Sequence, residues 1–235
     1  MKKIFLISFL ALTSLVSMAQ DNYTEAVKTF VEKCSSNVDL SQVPAGLIDD
    51  LYDITAQEFK ANGVTLEELN TYAAKVTDTK EGQTYLEHAK LIQSKEAQER
   101  LQQVLMPSLM PLFNGGELNA IDAPKVSEDY QKKYHEFYVA TNAGSQFDMV
   151  FGAMEGMLKS QPGADETIGK LKTFFAENGE NMLLTISNGI FTEADLDFAI
   201  GLANTEEAKH INKASEGIAP KFLQVVMQKF GAPGM

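Results

Sequence analysis

The sequence predicts an all-α protein, because apolar residues recur at helical spacing along nearly the whole chain and helix-start residues stand between the periodic stretches. Strict apolar–polar alternation is absent, and β-branched residues do not cluster into strand-like blocks. A further observation, self-similarity between the two halves of the chain, predicts two related helical bundles after a leader segment.

Residues 1–19 read as a signal peptide. Lys2 and Lys3 form a charged start, Ile4–Val16 a mostly apolar run of thirteen residues, and Ser17-Met18-Ala19 a small-residue cleavage site before Gln20. Thirteen residues fall short of the roughly 20 that a helix needs to cross a bilayer. Cleavage after Ala19 is therefore expected, leaving a product without a membrane anchor that is periplasmic or secreted. Gln20 at the new terminus offers no thiol for lipid attachment. Losing Lys2 and Lys3 takes the formal net charge from −12 to −14. Such an acidic surface repels phosphate backbones, so nucleic acid is not an expected partner.

Within the first expected bundle, residues 20–114, Val27, Phe30, Val31 and Cys34 share one face of a helix beginning near Tyr23. A single cysteine cannot close an intramolecular disulfide, and this one reads as a small buried hydrophobe. Leu47, Leu51 and Ile54 mark the next helix. Thr65 followed by Glu68, and Asp78 followed by Glu81, have the N-cap to N3 spacing of helix starts. Residues 115–125, opened by Gly115-Gly116 and ending beyond Pro124, read as a flexible linker.

The second expected bundle, residues 126–235, repeats these signals. Tyr130 to Val139 loosely matches Tyr23 to Cys34. Phe147, Val150, Phe151, Met154, Met157 and Leu158 follow one helical face, as do Leu171, Phe174 and Phe175. Gly189-Ile190-Phe191-Thr192-Glu193-Ala194-Asp195-Leu196 resembles Gly63-Val64-Thr65-Leu66-Glu67-Glu68-Leu69, and Asn204-Thr205-Glu206-Glu207 resembles Asp78-Thr79-Lys80-Glu81. Thr65, Asp78, Thr192 and Asn204 are the expected caps.

These residues resemble a family of exported bacterial all-helical proteins known as domain of unknown function 2059, whose signature is close to F-T-x-x-E-L, an aromatic, then S-P-x-G-x-K. Phe191-Thr192, Asp195-Leu196, Phe198 and Asn204-Thr205-Glu206-Glu207 before Lys209 carry the likeness, with Asp195 in place of Glu, Asn204-Thr205 in place of Ser-Pro and Glu207 in place of Gly. The resemblance spans residues 126–230 and, weakly, 23–113. It implies an exported helical fold and no particular reaction.

Chemistry-bearing patterns are few. Glu207-x-x-His210 has the i, i+3 spacing of di-metal bundles, but the chain has no second E-x-x-H. Asp195-x-Asp197 lacks the Gly and Glu positions of a calcium loop. No phosphate-cradling glycine loop, nucleophile elbow or C-x-x-C occurs, so no catalytic residue, metal site or cofactor is expected. Met149, Met154 and Met157 crowd one helix beside Phe147 and Phe151, which reads as a soft core stripe or as an adaptable apolar groove. On the groove reading, Phe147, Phe151, Met154 and Met157 line it. The chain is then an envelope protein that binds a protein segment or an apolar ligand. An enzyme with a dispersed site and a purely structural scaffold are the competing classes.

Overall fold

Helices form here where the sequence supplies both a capped start and an apolar face to bury. The computed structural model describes residues 22–34, 44–113, 116–145, 147 and 163–230. Its main helices are α1 (Asn22–Cys34), α2 (Ala45–Ala61), α3 (Leu66–Thr77), α4 (Lys80–Leu91), α5 (Lys95–Phe113), α6 (Glu128–Ala140), α7 (Ala164–Ser187), α8 (Glu193–Ala203), α9 (Glu206–Ser215) and α10 (Ile218–Phe230). The fold is all-α, with no strand among the described residues. The expected leader, residues 1–19, lies outside them.

Compactness divides the chain differently from its self-similarity. Among the described residues, one compact unit consists of those up to Leu86 with those from Gly201 onward, and the other of those within Glu87–Ile200. These units do not follow the boundaries at 114 and 126. Each draws helices from both halves: α9 and α10 pack with α2 and α3 in the first, whereas α5 packs on α7 in the second.

In the first unit, Val27, Phe30, Val31 and Cys34 are buried along one face of α1, against Phe59 of α2 and Leu69, Tyr72, Ala73 and Val76 of α3. The Phe30 ring meets Phe59 edge-on at 5.8 Å between centroids and Tyr72 at 6.5 Å. Burial pushes the Cys34 thiol pKa well above its ordinary value, against the opposing charge of Lys33, which leaves a packed thiol rather than a nucleophile. A second seam joins Leu47, Leu51 and Ile54 of α2 to Phe222 of α10, with Ile218, Val225 and Val226 at its edge.

In the second unit, Leu171, Phe174, Phe175, Met182 and Ile186 of α7 form a core with Ala97, Ile121 and Phe147. Val104, Leu105, Leu109 and Leu112 of α5 pack against it. Tyr134 and Phe137 of α6 are buried beside Phe191. Between α5 and α6 the described part of the expected linker is held in place. Asn119 donates its N–H to the Ser108 carbonyl at 3.2 Å and its side-chain amide to that of Pro107 at 3.3 Å. Ile121 is buried, its N–H on Asn178 Oδ1 at 2.8 Å and its carbonyl on the Asn181 amide at 2.9 Å. Two asparagines one helical turn apart thus satisfy both backbone groups of a segment that lacks secondary structure, and its apolar side chain fills the core. The described part of the expected linker is thus tied at Asn119 and Ile121.

Candidate functional site

Two turns collect the residues that sequence spacing singled out. In the first unit α2 ends at Asn62, and Gly63 adopts φ +78°, a left-handed conformation that costs glycine little. This reversal lets Val64 N–H reach the Phe59 carbonyl at 2.9 Å and delivers Thr65 to the start of α3. Thr65 Oγ1 accepts from Glu68 N–H at 3.2 Å, while Glu68 Oε2 accepts from Thr65 N–H at 2.7 Å. The other carboxylate oxygen, Oε1, lies 2.6 Å from Nδ1 of His210, whose Nε2 lies 2.9 Å from the Asn62 carbonyl oxygen. Tyr23 donates its hydroxyl to the Val64 carbonyl at 2.7 Å.

The second unit builds a turn from the same kinds of part. α7 ends at Asn188, Gly189 has φ +76°, and Thr192 precedes α8. Asp195 Oδ2 accepts from Thr192 N–H at 2.7 Å and from its hydroxyl at 2.6 Å, and Asp195 N–H donates back to Thr192 Oγ1 at 3.3 Å. His88 Nδ1 lies 2.8 Å from the same carboxylate oxygen, and Asp195 is only 2 % exposed. Tyr130 donates to the Phe191 carbonyl at 2.9 Å, and the Arg100 guanidinium donates to the Asn188 carbonyl.

Electrostatics at both turns favour ionised acids. Burial pushes the pKa of Glu68 up, but hydrogen bonds from His210 and Thr65 outweigh it and hold the carboxyl below its ordinary value. Asp195 behaves likewise, burial being overcome by Thr192 and His88. The third histidine, His135, sits 2.9 Å from Glu180. Both ring nitrogens of His210 are engaged, and Glu207 lies 3.2 Å from Lys75, so this pair does not form the ligand set that its spacing resembled. Among the described residues no group of three or more His, Cys, Asp or Glu could hold a metal ion. These turns cap and clasp helices.

Asp78 and Asn204 stand one residue short of the cap position. Thr79 Oγ1 accepts the Gly82 N–H at 3.1 Å, and Thr205 Oγ1 accepts that of Ala208 at 3.3 Å. The reason is backbone conformation. Thr205 is extended, with ψ 152°, whereas Asp78 is the helical C-cap of α3, with ψ −3°. Of the expected groove, Phe147 is buried in the second unit's core, 4.9 Å from Phe175 between ring centroids and over Gly179, so it faces no open surface. Phe151, Met154 and Met157 lie outside the described residues.

An apolar surface that the spacing argument did not single out lies on α5. Met106 and Met110, one turn apart, are 50 % and 49 % exposed, on the side away from the half-buried Val104, Leu105, Leu109 and Leu112. From Leu101 to Phe113 the helix carries no charge, and Gln102, Gln103 and Pro107 are exposed beside the methionines. Pro107 and Pro111 lie within this helix, so neither can donate to the carbonyl four residues earlier. Asn119 takes up the Pro107 carbonyl, while that of Gln103 belongs to the exposed turn. Two methionines and two glutamines in an uncharged stretch of an acidic chain were visible in sequence. Only their exposure was not.

No protein-family model, curated protein or solved structure matches the chain. Fold and site define a class: an all-helical protein of two compact units, with clasped capping turns in both and a neutral, methionine-bearing face on the second.

Proposed function

We propose that this is an exported, non-enzymatic binding protein of the cell envelope that holds an apolar polypeptide segment on the outer face of α5. The observation that carries the reading is the exposed Met106–Met110 pair in the uncharged stretch of α5 from Leu101 to Phe113. Interface cores are depleted of charge and enriched in methionine, whose unbranched, polarizable side chain adapts to varied partners. Polypeptide is favoured over a small apolar ligand because the face is a single convex helix, whereas small ligands require concavity. Gln102, Gln103 and the carbonyl freed by Pro107 supply hydrogen-bonding groups that a peptide backbone can use. Export is supported by the arrangement of Lys2, Lys3, the apolar run and Ala19. Among the described residues no helix is long and apolar enough to cross a membrane. The likeness to the exported helical family supports the same assignment.

The test is fluorescence anisotropy of the chain from Gln20 onward with a labelled extended peptide rich in Leu and Phe and free of acidic residues. The double variant Met106→Glu, Met110→Glu should weaken binding by about tenfold or more while leaving helicity intact. Absence of peptide binding by the wild type, or equal binding by the variant, sinks the proposal. Intact mass of protein recovered from the envelope fraction tests export, which requires a chain beginning at Gln20.

A further inference from the structure

We propose that His210 is a pH-operated latch, which in its protonated form fastens the segment carrying α9 and α10 to the α2–α3 turn and slackens when the ring loses a proton. The geometry points to this because both ring nitrogens face acceptors: a Glu68 carboxylate oxygen at 2.6 Å and the Asn62 carbonyl oxygen at 2.9 Å. A neutral imidazole has one N–H and one lone pair, so it can satisfy only one of them and turns its lone pair on the other. Only the imidazolium donates to both. Glu68 is not free to supply the missing proton, because its other oxygen accepts the Thr65 backbone N–H and hydroxyl, which favours the ionised acid.

The latch joins parts of the first unit that are far apart in sequence. His210 lies 142 residues from Glu68 and 148 from Asn62. Other bonds between the same parts are less suited to switching in this range, because lysine keeps its charge well above the range in which histidine titrates. Lys75 of α3 pairs with Glu207 of α9, Lys221 of α10 with Glu58 of α2, and Lys229 of α10 with Asp50 of α2. On α9 itself, Glu207 is occupied by Lys75, and Lys213 opposes the imidazolium. The Glu68 bond and the Asn62 carbonyl prevail over burial and Lys213, so the histidine pKa is raised above 6.5.

The raised histidine pKa means that this contribution is complete below 6.5 and is lost as pH climbs through the folded-state value. The lowered Glu68 pKa means that, seen from the acid, the same bond is complete above 4.5 and lost as pH falls through its folded-state value. The latch is therefore fully closed between those two limits.

Two measurements on the chain from Gln20 onward decide the matter. Proton–carbon NMR of the histidine Cε1 positions, assigned by single His→Gln variants, should show His210 titrating with a midpoint above 6.5. Thermal unfolding should show a loss of about 2–4 °C between roughly pH 6 and pH 8 that His210→Gln abolishes and His135→Gln preserves. A His210 midpoint at or below 6.5, or an undiminished alkaline loss in His210→Gln, overturns the proposal. If His210→Gln does not fold, the wild-type titration, assigned by difference from the His88→Gln and His135→Gln spectra, decides alone.

Discussion

At the residue scale, what distinguishes the two capping turns is burial of the acid. Glu68 is 26 % exposed at its side chain, so loss of the Thr65 hydroxyl leaves a carboxylate that water can reach. Asp195, at 2 %, would lose a donor with little solvent to replace it. Thr65→Ala should therefore cost about 1 kcal/mol, and Thr192→Ala the larger amount, up to about 2 kcal/mol. Urea unfolding of the two variants checks both the magnitudes and the order, and equal or inverted costs would contradict the burial argument. Gly82 offers a separate case. Glycine inside a helix ordinarily costs up to about 1 kcal/mol relative to alanine, so Gly82→Ala ought to stabilise α4 on propensity alone. Here the added methyl would lie 2.7 Å from the Lys75 carbonyl oxygen and closer still to that of Val76, both rigid backbone atoms. Overpacking wins, and the substitution should destabilise by about 1–3 kcal/mol in the same unfolding assay.

At the element scale, the helical periods of α1, α2 and α7 and the Thr-initiated starts of α3 and α8 were legible in sequence, because each depends on residues within a turn or two of one another. What sequence did not reveal depends on partners distant along the chain. Nothing near His88 points to Asp195, which is 107 residues away, and nothing near Ile121 points to Asn178. The caps at Thr79 and Thr205 were missed by one position because Asp78 and Asn204 are equally good cap types, and the choice falls to backbone conformation. The segment after α5 illustrates the same limit. Its glycines and polar residues read as a linker, yet Asn178 is oriented to receive it, with Nδ2 donating to the Phe174 carbonyl and Oδ1 turned to Ile121 N–H. Ile121→Ala should cost about 2–5 kcal/mol, a core cost rather than a linker cost. Limited proteolysis supplies the readout, with the wild type resisting cleavage across residues 116–124 and the variant being cut there. Equal sensitivity of the two would mean that the segment is not anchored by this side chain.

At the scale of the whole molecule, the self-similarity of the chain and its division into compact units make opposite predictions for truncation. If each half were an autonomous bundle, removing α9 and α10 would damage only the half that contains them. In the structure these helices belong to the first unit, where Ala208, Ile211, Ala214 and Phe222 are buried and the Phe222 seam covers Leu47, Leu51 and Ile54. Burying Ile211 and Phe222 alone contributes roughly 1.5–3 kcal/mol each. Against a total stability of about 5–15 kcal/mol for a whole domain, losing both together with the lysine–carboxylate pairs is enough to unfold the first unit. A chain ending at Ala203 should therefore lose amide protection in α1, α2 and α3, more than a hundred residues from the cut, while α5 and α7 keep theirs. Hydrogen exchange followed by mass spectrometry reads both regions in one experiment. Phe222→Ala, expected to cost about 3–5 kcal/mol, should produce a milder loss in the same three helices. Loss confined to α6, α7 and α8, with α1 to α3 still protected, would show that folding follows the sequence halves and that the discontinuous unit is not a cooperative one.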